Sequence, residues 1–376
     1  MNTKPLNYRD GKKEVHFIPK KGEAMGTCAT FNRKYLCCNV HVLKSVLNCP
    51  FECSYCFLQN YLNDGATKLV DNVDNLMEEV KDKICREPGR LFRIGTWELG
   101  DSLALEDRTG QAARLIQEFA CLDNAVLELK TKSDRIDSIL HLAHKGKTVV
   151  SWSLNTEYII KAEEHRTAPL EDRLQAMRKT ADAGYLIGLH FDPMILYAGW
   201  EKGYEMLANQ VFEAVSPDRV AWISVGSLRF NPEMKKKIEN NYPDNRLTCA
   251  EMVLGDDAKM RYVKPLRVNM YKLLYNALSR HISKNNLIYL CMERRDVWDK
   301  VFGYHPDSIE HLDHLFAQSL NKRFGLMNHP AAETAGYLKV SPPLTGGDEG
   351  EGENNIVKSP PPLPSPVKGR GKYPER

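Results

Sequence analysis

Little in this sequence is extreme, and each thing it lacks removes a class of function. No apolar run approaches the roughly 20 residues that span a bilayer. Met1-Asn2-Thr3-Lys4-Pro5 has no apolar core of the kind a secretory leader carries. The expectation is a cytoplasmic protein with no membrane segment. No Gly-x-Gly-x-x-Gly and no Gly-x4-Gly-Lys-Ser/Thr loop occurs, so the common phosphate cradles of nucleotide enzymes are missing. Net charge is only +3 over 376 residues, and a phosphate-binding surface would have to be a local patch. Ten cysteines without a leader indicate a reducing compartment, where thiolates serve metals rather than disulfides. No second Cys-x-x-Cys pair is present to complete a zinc site. Cys37-Cys38 has no gap, and Cys85, Cys121, Cys249 and Cys291 are isolated and read as ordinary buried thiols.

What is present is Cys49-Pro50-Phe51-Glu52-Cys53-Ser54-Tyr55-Cys56. Three thiolates in this C-x3-C-x2-C spacing can hold three irons of a 4Fe–4S cluster and leave the fourth open. A protein that only carried electrons would normally supply four cysteines. The pattern resembles the radical S-adenosylmethionine (SAM) enzymes, in which SAM chelates the open iron through its amino and carboxylate groups.

The surrounding chain alternates in period. Val40–Leu47 reads as a strand that delivers the cysteine loop. Residues 71–86 have helical spacing, with Val73, Leu76, Val80 and Ile84 on one face, Asp71 or Asn72 as cap and Pro88-Gly89 as stop. Strands are expected near 91–96, 125–130, 148–153, 185–191 and 219–225. Helices are expected near 108–121, 133–145, 169–183 and 200–214, with a weaker one at 231–240. Six strand–helix units imply a parallel sheet with right-handed crossovers. The fold class expected is α/β: a partial (βα)6 TIM-type barrel, as in radical SAM enzymes, with an α+β C-terminal extension. The expected divisions are a solvated N-terminal extension over 1–35, the barrel over 36–230, a substrate-side region over 231–330 and a disordered Pro/Gly-rich tail over 331–376.

In barrel-type folds the chemistry lies at the C-terminal ends of the strands. Polar groups recur there. Glu98 could accept from the SAM ammonium, Lys132 could pair with the SAM carboxylate, and Ser153 and Asn155 offer hydroxyl and amide contacts. Asp192 ends the fifth strand. Singly, each is as readily a solvated charge or a cap; together they form a set at successive strand ends.

From about Tyr35 to about residue 280 the chain resembles the spore photoproduct lyase family. The resemblance rests on the cysteine loop with Tyr55 and Leu58-Gln59, on Thr131-Lys132, Ser153-Leu154-Asn155, Thr167-Ala168-Pro169-Leu170 and Gly199-Trp200-Glu201-Lys202-Gly203-Tyr204. It implies that Cys49, Cys53 and Cys56 bind the 4Fe–4S cluster and that Lys132 and Ser153 hold SAM. It further implies repair of a methylene-bridged thymine dimer in DNA, with a reducing partner such as flavodoxin or ferredoxin. The family's radical relay uses a cysteine after the second strand and tyrosines, one directly after the third cluster cysteine. Here those positions are Thr96 and Phe57, neither able to donate a hydrogen atom as a thiol or phenol does, so Tyr55 is left as the catalytic candidate. Arg261, Tyr262 and Arg267 align with the DNA-contacting hairpin and are the substrate-binding candidates. The competing reading makes Tyr262 a core residue and Arg261 a surface charge.

Overall fold

A computed structural model describes residues 8–28, 32, 34–62 and 64–326. The tail expected over 331–376 lies outside them. The main sheet has eight strands. In chain order they are β1 (Met25–Thr27), β2 (His41–Leu43), β3 (Phe92–Gly95), β4 (Ala125–Thr131), β5 (Thr148–Ser153), β6 (Leu186–Met194), β7 (Val220–Ser227) and β8 (Leu287–Leu290). Each strand pairs with its neighbour in chain order. β1 runs antiparallel to β2, and every later pair is parallel. A two-stranded antiparallel ladder joins Tyr35–Leu36 to Glu293–Arg294. It ties the chain entering β2 to the chain leaving β8, so the two ends of the sheet meet and the sheet is curled into a partial barrel.

The parallel strands are buried on both faces, as sheets covered by crossover helices are; β4 and β5 expose almost nothing. The helices cover the outside with apolar stripes. Val73–Cys85 buries Leu76, Met77, Val80 and Ile84, and Asn72 caps it by accepting from the Asp74 N–H at 2.9 Å. Leu170–Asp182 and Trp200–Ala214 pack in the same way. Among the described residues no helix is long and apolar enough to cross a membrane.

Several expectations need correction. No helix forms over 133–145. The Ser133 carbonyl is taken by the Trp152 indole at 3.0 Å and the Ile139 carbonyl by the Tyr185 hydroxyl at 2.6 Å, so only turns such as Ile139 N–H to Ile136 O remain. The run Val40–Leu47 is not one strand: His41–Leu43 joins the main sheet, and Val46–Leu47 pairs with Thr67–Val70 in another. The N-terminal region is not merely solvated. Val15–Ile18 pairs with Thr67–Val70, and Lys12 is buried. A seventh parallel strand, β8, continues the sheet well past residue 230. Arg261 and Tyr262 lie on the strand Met260–Tyr262, and a helix follows over Lys264–Leu278. Cys85, Cys121 and Cys249 are exposed rather than buried.

Candidate active site

The cysteine loop is clamped at the mouth of the partial barrel. On one side Asn48 forms a parallel bridge with Gly100, beyond the end of β3. A Cβ on Gly100 would meet the Asn48 carbonyl at 2.6 Å, so the approach requires glycine. On the other side Glu52–Cys53 pairs antiparallel with Glu164–His165, which follow the helix Glu157–Glu163 beyond β5. The Ser54 N–H donates to the Glu163 carbonyl at 2.8 Å, and its hydroxyl to the Glu163 carboxylate.

Burial raises the Cys49 thiol well above its ordinary range and pushes Cys53 up to about 12. Cations oppose this. Lys12, itself buried, donates to the Asn48 side-chain oxygen at 2.7 Å and to the Cys49 carbonyl at 2.8 Å. Its charge favours the Cys49 thiolate, as that of Lys132 favours Cys53. Desolvated thiols beside fixed cations suit a ligand that brings its own positive charge. The Tyr8 and Tyr242 hydroxyls are buried beside these cysteines and have no hydrogen-bond partner among the described residues. Buried phenols without acceptors are costly, and inorganic sulfides in the loop would supply acceptors. The donor set therefore fits a cluster held by Cys49, Cys53 and Cys56 with a further iron free of protein ligands.

Around the loop lies a polar network. The Tyr55 hydroxyl donates to Glu164, and Glu164 pairs with Arg173 at 2.7 Å. Arg173 is fully buried and also donates to the carbonyls of Ala168 and Ser153 at 2.8 and 2.9 Å. Burial would raise the Glu164 carboxyl, but Lys132 and Arg173 hold it below its ordinary range. Lys132 sits over the Tyr55 ring, 5.7 Å from its centre. Asp101 accepts from the Thr131 hydroxyl at 2.7 Å and the Lys132 N–H at 2.8 Å, which fixes the segment carrying Lys132.

The structure thus brings Cys49, Cys53, Cys56, Tyr55 and Lys132 together, with Ser153 at the end of β5. Asn155 is also at this end, but its side chain is used internally: it accepts from the Tyr204 hydroxyl at 2.7 Å and donates to the Pro193 carbonyl at 3.0 Å. Glu98 faces elsewhere, toward Cys28, Cys38 and Lys259. Arg261, Tyr262 and Arg267 are interior residues. Arg261 pairs with Asp257, and Arg267 with Glu293 at 2.8 Å. The Tyr262 hydroxyl accepts from the Leu196 N–H at 3.1 Å. With their polar groups satisfied within the chain, these three are placed to hold the hairpin Met252–Tyr262 rather than to meet a substrate.

Sequence reasoning missed the barrel's polar interior. Glu128 accepts from Ser151 at 2.7 Å, Trp97 at 2.8 Å and Trp222 at 3.2 Å, and meets His190 at 2.7 Å. Asp192 pairs with Arg229 at 3.0 Å, and Arg229 reaches the Cys291 sulfur at 3.3 Å. The signal was available: polar residues at alternate positions of buried strands, such as Glu128 and Lys130, point to one face.

The sequence profile of the family described as spore photoproduct lyase matches residues 42–291. The spore photoproduct lyase of Bacillus subtilis (strain 168) is 30% identical over 243 residues, 64% of this chain and 69% of the relative. That of Geobacillus sp. (strain Y412MC61) is 29% identical over 219 residues, 57% of this chain and 62% of the relative. Among solved structures, a spore photoproduct lyase complexed with dinucleoside spore photoproduct superimposes with a TM-score of 0.68 at 22% identity, covering 77% of this chain and 86% of that one. A substituted form with bound AdoMet and dinucleoside spore photoproduct gives 0.64 at 23% identity, covering 75% and 83%.

Proposed function

Because the chain belongs to the spore photoproduct lyase family, we propose that it is a radical SAM enzyme acting on a DNA-like substrate. The observation that carries this reading is the loop of three thiols at the barrel mouth, two of them desolvated, with cations on either side and two phenols lacking acceptors. Cys49, Cys53 and Cys56 would hold the 4Fe–4S group, which supplies the electron that cleaves SAM reductively and starts hydrogen abstraction. Lys132 offers a cation for the SAM carboxylate, and Ser153 a hydroxyl. Asp101 and the Glu164–Arg173 pair hold these segments in place. Tyr55, half-buried with its hydroxyl on Glu164, is the phenol best placed to exchange a hydrogen atom at this site. A reducing partner of the flavodoxin or ferredoxin class would deliver the electron.

For a DNA-like substrate the supporting surface lies beside the loop. Phe57 and Tyr61 are exposed and stack edge to face with ring centres 5.7 Å apart. The helix Met234–Asn241 packs beside them, with Asn241 donating to the Gln59 side chain at 3.0 Å, and it exposes Lys235, Lys236 and Lys237. Aromatics beside lysines suit bases and phosphates.

One observation favours a second reading of the later steps. The Thr96 hydroxyl is buried and donates to Ser102 at 2.7 Å, and Phe57 has no hydroxyl. Neither position returns a hydrogen atom, so this chain completes its cycle through another group or on another substrate.

The test is anaerobic reconstitution with iron and sulfide. About four irons per chain are expected, with 5′-deoxyadenosine formed from SAM and dithionite, and both lost in Cys53→Ala. A chain that takes up no cluster would refute the enzyme reading. Incubation with dinucleoside spore photoproduct then decides the substrate: thymidine products support dimer repair, and 5′-deoxyadenosine without them supports the second reading.

A further inference from the structure

The barrel interior holds a second set of thiols that the proposed reaction does not use. Cys28 follows β1, and Cys37-Cys38 lead into β2. Because these strands run antiparallel, with Thr27 opposite His41 and the Cys28 N–H on the Val40 carbonyl at 2.9 Å, the three residues return to one place. Their Sγ atoms lie within 4.8 Å of one another, and among the described residues no other trio of metal-ligating side chains is so gathered. We propose that Cys28, Cys37 and Cys38 bind a single thiophilic divalent ion, Zn²⁺ in the first instance, with a non-protein ligand such as water in the fourth position.

Spacing decides between a single ion and a second cluster. Metal–sulfur bonds of about 2.3 Å in a tetrahedron put sulfurs roughly 3.8 Å apart. In a cubane cluster each thiolate sits on its own iron, and the sulfurs stand farther apart. A trio this close therefore selects one ion. Binding would release the thiol protons.

Hydrogen bonding among the three thiols holds Cys38 below its ordinary range and, with burial, raises Cys28 and Cys37 above theirs. The Asn39 N–H points to the Cys37 sulfur and the Val40 N–H to that of Cys38, with Asn39 held at a φ of 55°. The buried Arg93 donates to the Cys38 carbonyl and places its charge beside that sulfur, and Lys259 lies near Glu98. Cys291 is near the trio, but Arg229 and Asp192 engage its sulfur.

The experiment measures metals on the full chain. In the wild-type protein, reconstituted anaerobically and then dialysed against a weak chelator, elemental analysis should give one zinc per chain beside the cluster iron. Cys38→Ser should lose the zinc and keep the iron. Titration of the metal-stripped wild type with Co²⁺ should give thiolate-to-cobalt charge-transfer absorption that Zn²⁺ abolishes. A folded wild-type chain that shows no thiolate–cobalt absorption and no stoichiometric zinc would overturn the proposal, whether or not the cluster loop takes up iron. Zinc protection of four thiols against alkylation would overturn the assignment of these three cysteines as the ligand set. An iron–sulfur chromophore persisting in Cys49→Ser/Cys53→Ser/Cys56→Ser would overturn the single-ion site.

Discussion

Replacing Arg173 by methionine isolates the support beneath the cysteine loop. The Arg173–Glu164 contact is 2.7 Å, and both side chains are almost wholly shielded, at 0% and 1% exposure. Screening by water is therefore minimal. Methionine fills most of the volume but leaves a buried carboxylate held by only the Tyr55 phenol and the Lys132 charge. Removing one member of such a pair costs about 3–5 kcal/mol. The carbonyls of Ala168 and Ser153 lose their donor as well, and each adds about 1 kcal/mol or more unless water reaches it. A loss near 5 kcal/mol is expected in urea unfolding of the cluster-free chain. Because Glu164–His165 is paired with Glu52–Cys53, the variant should also retain less iron after reconstitution. Combining Arg173→Met with Glu164→Gln should cost less than the two single changes together, since the stranded charge is gone. A loss for Arg173→Met below about 1 kcal/mol, the level of an exposed pair, would refute the reasoning.

Three further outcomes are expected. Burial alone would raise the Asp192 carboxyl, but Arg229 outweighs it and brings it from 3.8 down to about 2. Its folded value is depressed, so the pair stabilises the fold above the unfolded carboxyl range, and about 2 kcal/mol is lost as pH falls from about 4 to about 2; Asp192→Asn should flatten urea midpoints in that window, and an unchanged slope would count against the pair. Tyr8→Phe should lower the midpoint potential of the reconstituted cluster without changing its iron content, because a hydrogen bond to the sulfurs is removed; equal potentials in a redox titration would show that this phenol does not reach the cluster. Lys235→Ala/Lys236→Ala should weaken binding to single-stranded DNA and reduce the salt slope of log K by roughly 1.4, whereas an unaltered slope would move the nucleic-acid face elsewhere.

Much of the barrel was legible because buried parallel strands and amphipathic helices each carry their own period. The strands at 92–95, 125–131 and 148–153 and the helix at Val73–Cys85 follow from it. What failed was decided by distant groups. The 133–145 segment has helical spacing, but Trp152 and Tyr185 take its carbonyls. Lys12 reads as one of several exposed lysines, and only the fold carries it to the Asn48 side chain. Arg261 and Arg267 read as substrate contacts because their partners Asp257 and Glu293 could not be paired with them from order alone. Cysteine spacing rules found the loop at 49–56, where all ligands are local. They passed over Cys37-Cys38, because the partner Cys28 returns on an antiparallel strand rather than through a short gap.

The ladder between Tyr35–Leu36 and Glu293–Arg294 bears on the order of assembly. Leu36 and Glu293 are partners across 257 residues. Contacts of such separation form late, after the local strand–helix units have condensed. On the ribosome the stretch leading to Cys37-Cys38 must wait for almost the whole described chain to emerge before its final neighbour exists. The cysteine loop and its ladder partner at Glu164–His165 are available much earlier. The seam is thus a maturation step: the two edges of the partial barrel are tied together only once its last strand has been made, and truncation before residue 293 should leave them untied.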